Sequence, residues 1–489
     1  KTELLGMRAA NILRSTDTLP ENILCLTFTD SGAAAMRERL AGIIGPDAYR
    51  VAIHTFHSFG TEVINQNNQY FYHGAAFRPA DEVTMHQVLS EIFDELDYTN
   101  PLASKNNGEH THLKDTMSTI SELKRAGLSS DELLAIINAN EEVLDSIERD
   151  LTEIFSNKPS TTMLSLLVPL AERVAALAVP TLPSGITPLA NVLALSMAHA
   201  FDEAVATNKT TPITAWRNQW LEKNTEGEFV FKDRKRHAKL RSVAHIYYVY
   251  LSRMEQAGLY DYDDMILGVV HGMETQPDLK YNLQEKYHYI MVDEFQDTNL
   301  AQLRILFDLT DTSANEGNPN VMAVGDDDQA IYSFQGADVN NIHRFRNQYP
   351  SHQSIVLTEN YRSGAAILQH AREVIVQGTG RLETTMEISK QLEAQKKSES
   401  TVILQQLPSV IEERAWIAQS IKERIKNGAT PASIAVLARR HQDLVSLLPY
   451  LYHEDIAVNY ERRDNVLDIE AVRALELLAR ITVSLHDSE

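Results

Sequence analysis

A single cysteine in 489 residues leaves no way to build an internal disulfide framework, which fits a reducing cytoplasm. That residue, Cys25, lies between Leu24 and Leu26, the setting of a buried strand position rather than of a reactive thiol. No apolar run reaches the ~18–20 residues of a membrane span, and the first residues lack the order of a signal peptide. The 17 histidines fall into no metal-ligand spacing, and no second cysteine is present to assist them. Positive charge is scarce: 45 Lys and Arg stand against 67 Asp and Glu, a net charge of −22. That total argues mildly against nucleic-acid binding as a global average, but phosphate binding depends on local patches. One such patch is KDRKRHAKLR at 232–241, with six cations against Asp233. Runs of this kind are ordinarily solvated helix faces.

The remaining composition, 43% hydrophobic and 23% charged, is that of a soluble globular protein. A chain this long exceeds one core and implies about two to four domains. It opens with Thr2, Glu3, Leu4 and Leu5, already helical in pattern, and its last stretch is helical too, so it is expected to be a piece of a longer protein. Residues 22–29 (NILCLTFT) predict a buried strand followed by a helix from Ser31, and 51–55 predict a second strand and helix. This alternation is that of a parallel α/β sheet. From about 75 to 255 helical patterns dominate, broken by the Pro/Gly-rich stretch 179–188. The α/β pattern resumes near 260 with strands expected at 289–292 and 321–324. A second unit is expected from about 350, with strands at 354–357, 401–407 and 434–437 and a loose, charged loop at 381–400.

The most informative residues are VDEFQDTN at 292–299. An apolar run ends abruptly at Asp293 and Glu294, and open α/β sheets bind ligands at the carboxyl ends of their strands. There the first carboxylate could hold Mg²⁺ and the second could orient or deprotonate a water, the division of labour that nucleotide hydrolysis needs. Taken alone, the same pair is equally a strand running into an acidic loop. Three more loops accompany it in order: LTFTDSGAAAMRERL (26–40), AVGDDDQAIYSFQGAD (323–338) and LTENYRSG (357–364).

Together these four motifs resemble superfamily 1 DNA helicases of the UvrD/Rep/PcrA type. The resemblance implies an α/β fold of two RecA-like parallel-sheet domains, 1A and a partial 2A, with a large, mainly helical insertion, 1B. The expected boundaries are 1–75 and 256–350 for domain 1A, 76–255 for 1B and 351–489 for 2A. It implies ATP and Mg²⁺ as cofactors, and Lys1 and Thr2 then look like the end of the phosphate-binding loop, with the Thr2 hydroxyl on the metal. Asp293 would hold the metal, Glu294 would act on the attacking water, and Gln296 resembles the family's nucleotide-side glutamine. Gln329 would sense the γ-phosphate, and Arg362 resembles the cation that reaches across a cleft to the developing charge. Tyr361 looks like the ring that stacks on adenine.

On the DNA side, Tyr332 and Phe334 would point the same way if their stretch were extended, and aromatic faces stack on bases without reading sequence. Phe28 and Thr29, and Thr55, Phe56 and His57, match further single-strand contacts of the family. The chain departs from the family's pattern at Glu3, Ser31, Ser333 and Gln335, where basic residues are common. The resemblance implies an ATP-dependent motor on single-stranded and duplex DNA, 3′→5′, in repair or recombination, cytoplasmic and not at a membrane. This piece by itself is expected to be inactive in unwinding. Two alternatives stay open: a catalytically silent DNA-binding subunit, and the motor part of a RecB-like helicase–nuclease.

Overall fold

Residues 23–27 are buried on both faces, and that is why they read as an unbroken apolar run rather than an alternating one. They form β1 (Ile23–Thr27), the central partner of β2 (Ala52–Thr55) and β3 (Tyr289–Val292), while β4 (Asn320–Ala323) pairs with the far side of β3. All pairings are parallel, and the sheet order is β4-β3-β1-β2. Successive side chains enter opposite cores. Leu24, Leu26, Ile290 and Val292 pack with helices Phe56–Gln66, Tyr262–Thr275 and Leu300–Thr310. Ile23, Cys25 and Met291 pack with helices Thr2–Ser15 and Asp30–Ile44. Burial pushes the Cys25 thiol up to about 12, so it is an inert core group. The chain departs from β1 in both directions across the sheet, which makes the carboxyl ends of β1 and β3 a topological switch point.

The computed structural model describes all residues except 1, 72–76, 107, 157–159, 161–162, 178–185, 313–316, 379–380, 397–399, 461–468 and 485–489. The expected break at 179–188 therefore lies largely outside the described residues. Seven helices of eight or more residues fill the described part of 82–256, from Glu82–Asp94 to Asp233–Gln256. They build two cores, one around Leu144, Phe155, Phe201 and Trp216, the other around Phe93, Ile120 and Tyr247, which Leu267 of helix Tyr262–Thr275 also joins. Among the described residues no helix is long and apolar enough to cross a membrane.

The fold is α/β with parallel sheets and many helices, and it divides into two compact units. One comprises 1–357 and 378–390; the other comprises 358–377 and 391–489. The second carries one parallel pair, Glu359–Asn360 with Glu393–Ala394, and helices Ala365–Ile375, Val410–Lys426 and Glu470–Ser484. Its small core holds Ala418, Ile421, Leu447, Leu451 and Ile456.

Here the sequence misled. The strands expected at 354–357, 401–407 and 434–437 are not strands: among the described residues these stretches pair with no other strand, and Ile355, Leu404 and Leu437 are 79%, 96% and 92% exposed. An apolar run forms a strand only where a neighbour takes its backbone hydrogen bonds. The loose loop expected at 381–400 is also partly wrong, since Arg381 and Lys390 are held in ion pairs within the first unit.

Candidate active site

The backbone turns sharply where β3 ends. Asp293 N–H still donates to Leu26 O (2.8 Å), continuing the ladder, and Glu294 then adopts φ 47°, ψ 46°. A left-handed conformation at a non-glycine residue costs about 1–3 kcal/mol and persists only where its surroundings impose it. Here they do. Glu294 N–H donates to Asp293 Oδ1 (3.0 Å), Phe295 N–H donates to Val324 O (3.0 Å), and Asp297 N–H donates to Glu294 O (2.9 Å). The two successive carboxylates at this strand end take different partners, Thr2 for Asp293 and Gln296 for Glu294.

Asp293 is 4% exposed, and its Oδ2 accepts a 2.8 Å hydrogen bond from the Thr2 hydroxyl at the start of the first helix. Two residues 291 positions apart thus present hard oxygen ligands side by side. That donor chemistry suits Mg²⁺, which is held through one or two carboxylates and hydroxyl or water oxygens. Lys1 lies outside the described residues.

Gln296 is 1% exposed, and its amide is fully engaged. Its Nε2 donates to Glu294 Oε2 (3.0 Å) and Asp297 Oδ2 (3.2 Å), and its Oε1 accepts from Asp326 N–H (2.8 Å). In this position the amide braces the loop, holding the Glu294 and Asp297 carboxylates on one side and the Asp326 backbone on the other. Gly325 makes the close approach possible, since a Cβ there would lie 2.8 Å from Gln296 Oε1. Gln329 follows in a short 3₁₀ turn and donates from Nε2 to Asp326 Oδ2 (2.7 Å), with its side chain exposed. Tyr361 and Arg362 belong to the second unit and are both exposed. The Tyr361 hydroxyl donates to Glu359, and Asn360 Oδ1 accepts from Arg362 N–H (3.0 Å).

The aromatic candidates separate by burial. Phe28, half-buried past the end of β1, lies with its ring centroid 4.6 Å from that of Tyr332, and Tyr332 lies 5.9 Å from Phe334. The extended stretch expected for Tyr332 and Phe334 is instead a 3₁₀ turn at Ser333–Gln335, and it is that turn which sets the two rings side by side. Phe334 is 73% exposed. Phe56, expected to touch single-stranded DNA, is instead 3% exposed and packs mainly in the core under the sheet, with only an edge on the cavity beside Phe28 and His57. Thr29 and Thr55 cap helices, accepting from Gly32 N–H (3.0 Å) and Ser58 N–H (3.2 Å). Thr55 is buried in that role, whereas Thr29 is exposed.

His57 faces a cavity of about 490 Å³ lined also by Phe28, Arg125, Tyr262, Asp263 and Gln335. Burial lowers its pKa, with Asp263 opposing, so the ring is neutral at pH 7. Sequence patterning gave no sign of Arg125 and Asp263, which pair at 3.2 Å across 138 positions. Of the basic run at 232–241, Arg234 pairs with Asp145 and Glu148, Lys235 with Glu222 and Arg241 with Glu141. Three of its six cations are thus ion-paired, while Lys232, Lys235, Arg236 and Lys239 remain exposed.

These strand ends, in this order, match a known pattern along nearly the whole chain. Residues 1–350 fit the model of the UvrD/REP helicase N-terminal domain, and residues 355–486 fit that of the UvrD-like helicase C-terminal domain. The chain belongs to the UvrD/Rep helicase family. Among similar UvrD-type proteins, YjcD of Bacillus subtilis (strain 168) is 25% identical over 462 residues, 94% of this chain and 46% of that protein. The ATP-dependent DNA helicase UvrD1 of Mycobacterium tuberculosis (strain H37Rv) is 38% identical over 145 residues, 29% of this chain and 19% of UvrD1. DNA helicase II of Escherichia coli (strain K12) is 34% identical over 197 residues, covering 40% and 25% of the two chains. This UvrD-family chain thus matches less than half the length of each of these relatives.

Proposed function

We propose that this chain is the motor portion of an ATP-dependent DNA helicase that couples ATP hydrolysis to movement along single-stranded DNA and to duplex unwinding. The observation that carries the reading is the junction of Thr2 Oγ1 with Asp293 Oδ2 at 2.8 Å, beside a Glu294 held in a left-handed turn. Thr2 and Asp293 would hold Mg²⁺, which when bound neutralises charge on the phosphate oxygens. Glu294 serves as the group that orients and deprotonates the attacking water, and Gln296 fixes its carboxylate through the 3.0 Å bond to Oε2. Gln329 supplies an exposed amide next to this centre, suited to the γ-phosphate. Tyr361 and Arg362, exposed on the second unit, keep the roles that the family resemblance gives them: a ring for adenine and a cation for charge developing in phosphoryl transfer.

For DNA the reading rests on Phe28, Tyr332 and Phe334, a contiguous set of rings ending in an exposed one. Stacking on such rings is worth about 1–3 kcal/mol per base and tolerates any sequence, as translocation requires. A 3′→5′ direction and a place in repair come from family resemblance and belong to this proposal alone.

The test uses the full-length protein. Its ATPase rate should rise on adding single-stranded DNA; equal rates with and without DNA would sink the motor reading and favour a silent DNA-binding subunit. Glu294→Gln should abolish turnover while leaving binding of a fluorescent ATP analogue intact. Partial duplexes with a 3′ or a 5′ single-stranded tail then read the direction.

A further inference from the structure

Asp326, Asp327 and Asp328 place their carboxylates within 4.8 Å of one another, close enough to share a cation. The cation they share is the Lys390 ammonium, at 2.6, 2.5 and 2.8 Å from Asp326, Asp327 and Asp328. Arg381 adds a bidentate pair, Nε and Nη2 each donating at 2.7 Å to Asp328, and Leu382 N–H donates to Asp327 Oδ2 (2.8 Å). Glu383 then joins Arg381 Nη1 (2.8 Å) to Lys390 N–H (3.2 Å), closing residues 381–390 on themselves. Arg381 and Lys390 have side chains only 8% and 15% exposed, so this clasp is shielded from salt and stronger than a surface ion pair.

The clasp is joined to the reaction centre by an unbroken series of hydrogen bonds. Lys390 Nζ donates to Asp326 Oδ1; Asp326 N–H donates to Gln296 Oε1 (2.8 Å); Gln296 Nε2 donates to Glu294 Oε2 (3.0 Å). Asp326 Oδ2 also accepts from Gln329 Nε2 (2.7 Å), so one carboxylate anchors both the bracing amide and the exposed one. At both ends of the segment the chain runs directly into the second unit.

We propose that Lys390 and Arg381 are positioning residues for ATP hydrolysis, setting the Glu294 carboxylate and the Gln329 amide through Asp326 and Gln296. Both cations hold carboxylates of the loop 325–329, and it is through that loop that they act. The inference deepens the proposed function and rests on it. Because the clasped segment leads into the second unit on either side, a shift of its ends changes the loop that aims the water-activating group.

The test compares Lys390→Met, Lys390→Arg and the unaltered full-length protein in three measurements. Lys390→Met should lower the DNA-stimulated kcat about ten-fold or more, as misplacement of a reacting group does, with KM for ATP within about two-fold. Lys390→Arg should restore most of the loss, because it keeps the charge. Independently of turnover, the backbone amide of Asp326 should exchange with deuterium faster in Lys390→Met. Unchanged kcat and unchanged Asp326 exchange overturn the proposal. So does a uniform fall in kcat, ATP affinity, DNA affinity and melting temperature that arginine fails to rescue, which marks a general packing role. If the unaltered protein hydrolyses no ATP, the functional reading fails, and the Asp326 exchange still decides whether Lys390 controls the loop.

Discussion

Replacing Gly325 with alanine tests the reaction centre at its tightest point. The new methyl would lie 2.8 Å from Gln296 Oε1, 3.2 Å from Gln296 N and 3.4 Å from Phe295 N. A glutamine amide normally swings away from such a contact at little cost. This one is 1% exposed and holds bonds to Glu294, Asp297 and Asp326, and the adjacent backbone nitrogen cannot retreat. Displacing the amide forfeits one neutral hydrogen bond, worth about 0.5–1.5 kcal/mol, and one to a charged carboxylate, worth about 1.5–3 kcal/mol. Together these come to about 2–4.5 kcal/mol, enough for the loop to rearrange rather than bear the clash. Glu294 then loses the Gln296 donor that fixes its aim. A misplacement near 1 Å costs about 100-fold in rate, so kcat for ATP hydrolysis should fall about 10- to 100-fold. ATP binding should change far less, because Thr2 and Asp293 do not touch Gly325. Steady-state kinetics of the full-length variant with saturating single-stranded DNA give both quantities. A kcat within two-fold of the unaltered protein would refute the reasoning, showing that Gln296 does not aim Glu294.

Other consequences are equally open to measurement. Phe334→Ala should weaken binding of a short oligothymidine about 5- to 150-fold, the equivalent of roughly 1–3 kcal/mol for one stacked base, and leave the melting temperature unchanged. Phe56→Ala should do the opposite, costing about 3–5 kcal/mol of stability through a core cavity. Lys124 is fully buried between Asp261 and Asp264, at 2.6 Å from each, so Lys124→Met should cost about 3–5 kcal/mol by leaving buried carboxylates unpaired. Burial lowers the pKa of His57, so below pH ~6.5 the unfolded chain takes up more protons there than the folded one. Stability from this residue is therefore complete above its unfolded value and is lost as pH falls below it. Melting curves of the unaltered protein and His57→Asn from pH 8 to 5.5 should diverge toward acid, with the unaltered protein falling faster; parallel curves would contradict the burial argument.

What the sequence disclosed follows from how locally each feature is encoded. The strand ending at Asp293 is legible because four consecutive apolar residues and two acids are adjacent in the chain. Cys25 is legible from its two leucine neighbours. The contact of Thr2 with Asp293 spans 291 positions and is foreseen only through family resemblance. The clasp is invisible for the same reason: Lys390 and Asp327 lie 63 positions apart, and charged residues in a polar stretch read as solvated. Phe56 and Phe334 cannot be told apart by residue type. Their roles diverge because one starts a helix lying over the sheet core while the other sits 73% exposed in a turn. The expected strands near Leu404 and Leu437 fail because propensity specifies an extended backbone and leaves the partner unspecified.

The division of the chain at 357, 377 and 390 means that the backbone passes between the two units three times. With a single cysteine and so no internal disulfide, one cut separates the chain into two pieces: a cut after 357 frees 1–357 from a piece that holds parts of both units, a cut after 390 frees 391–489, and only a cut after 377 leaves parts of both units in each piece. No single pair of termini therefore excises either unit cleanly. An expression product starting at 358 would carry residues 381–390 without the three aspartates that neutralise Arg381 and Lys390, and it should be less soluble and less stable than the same residues within the whole.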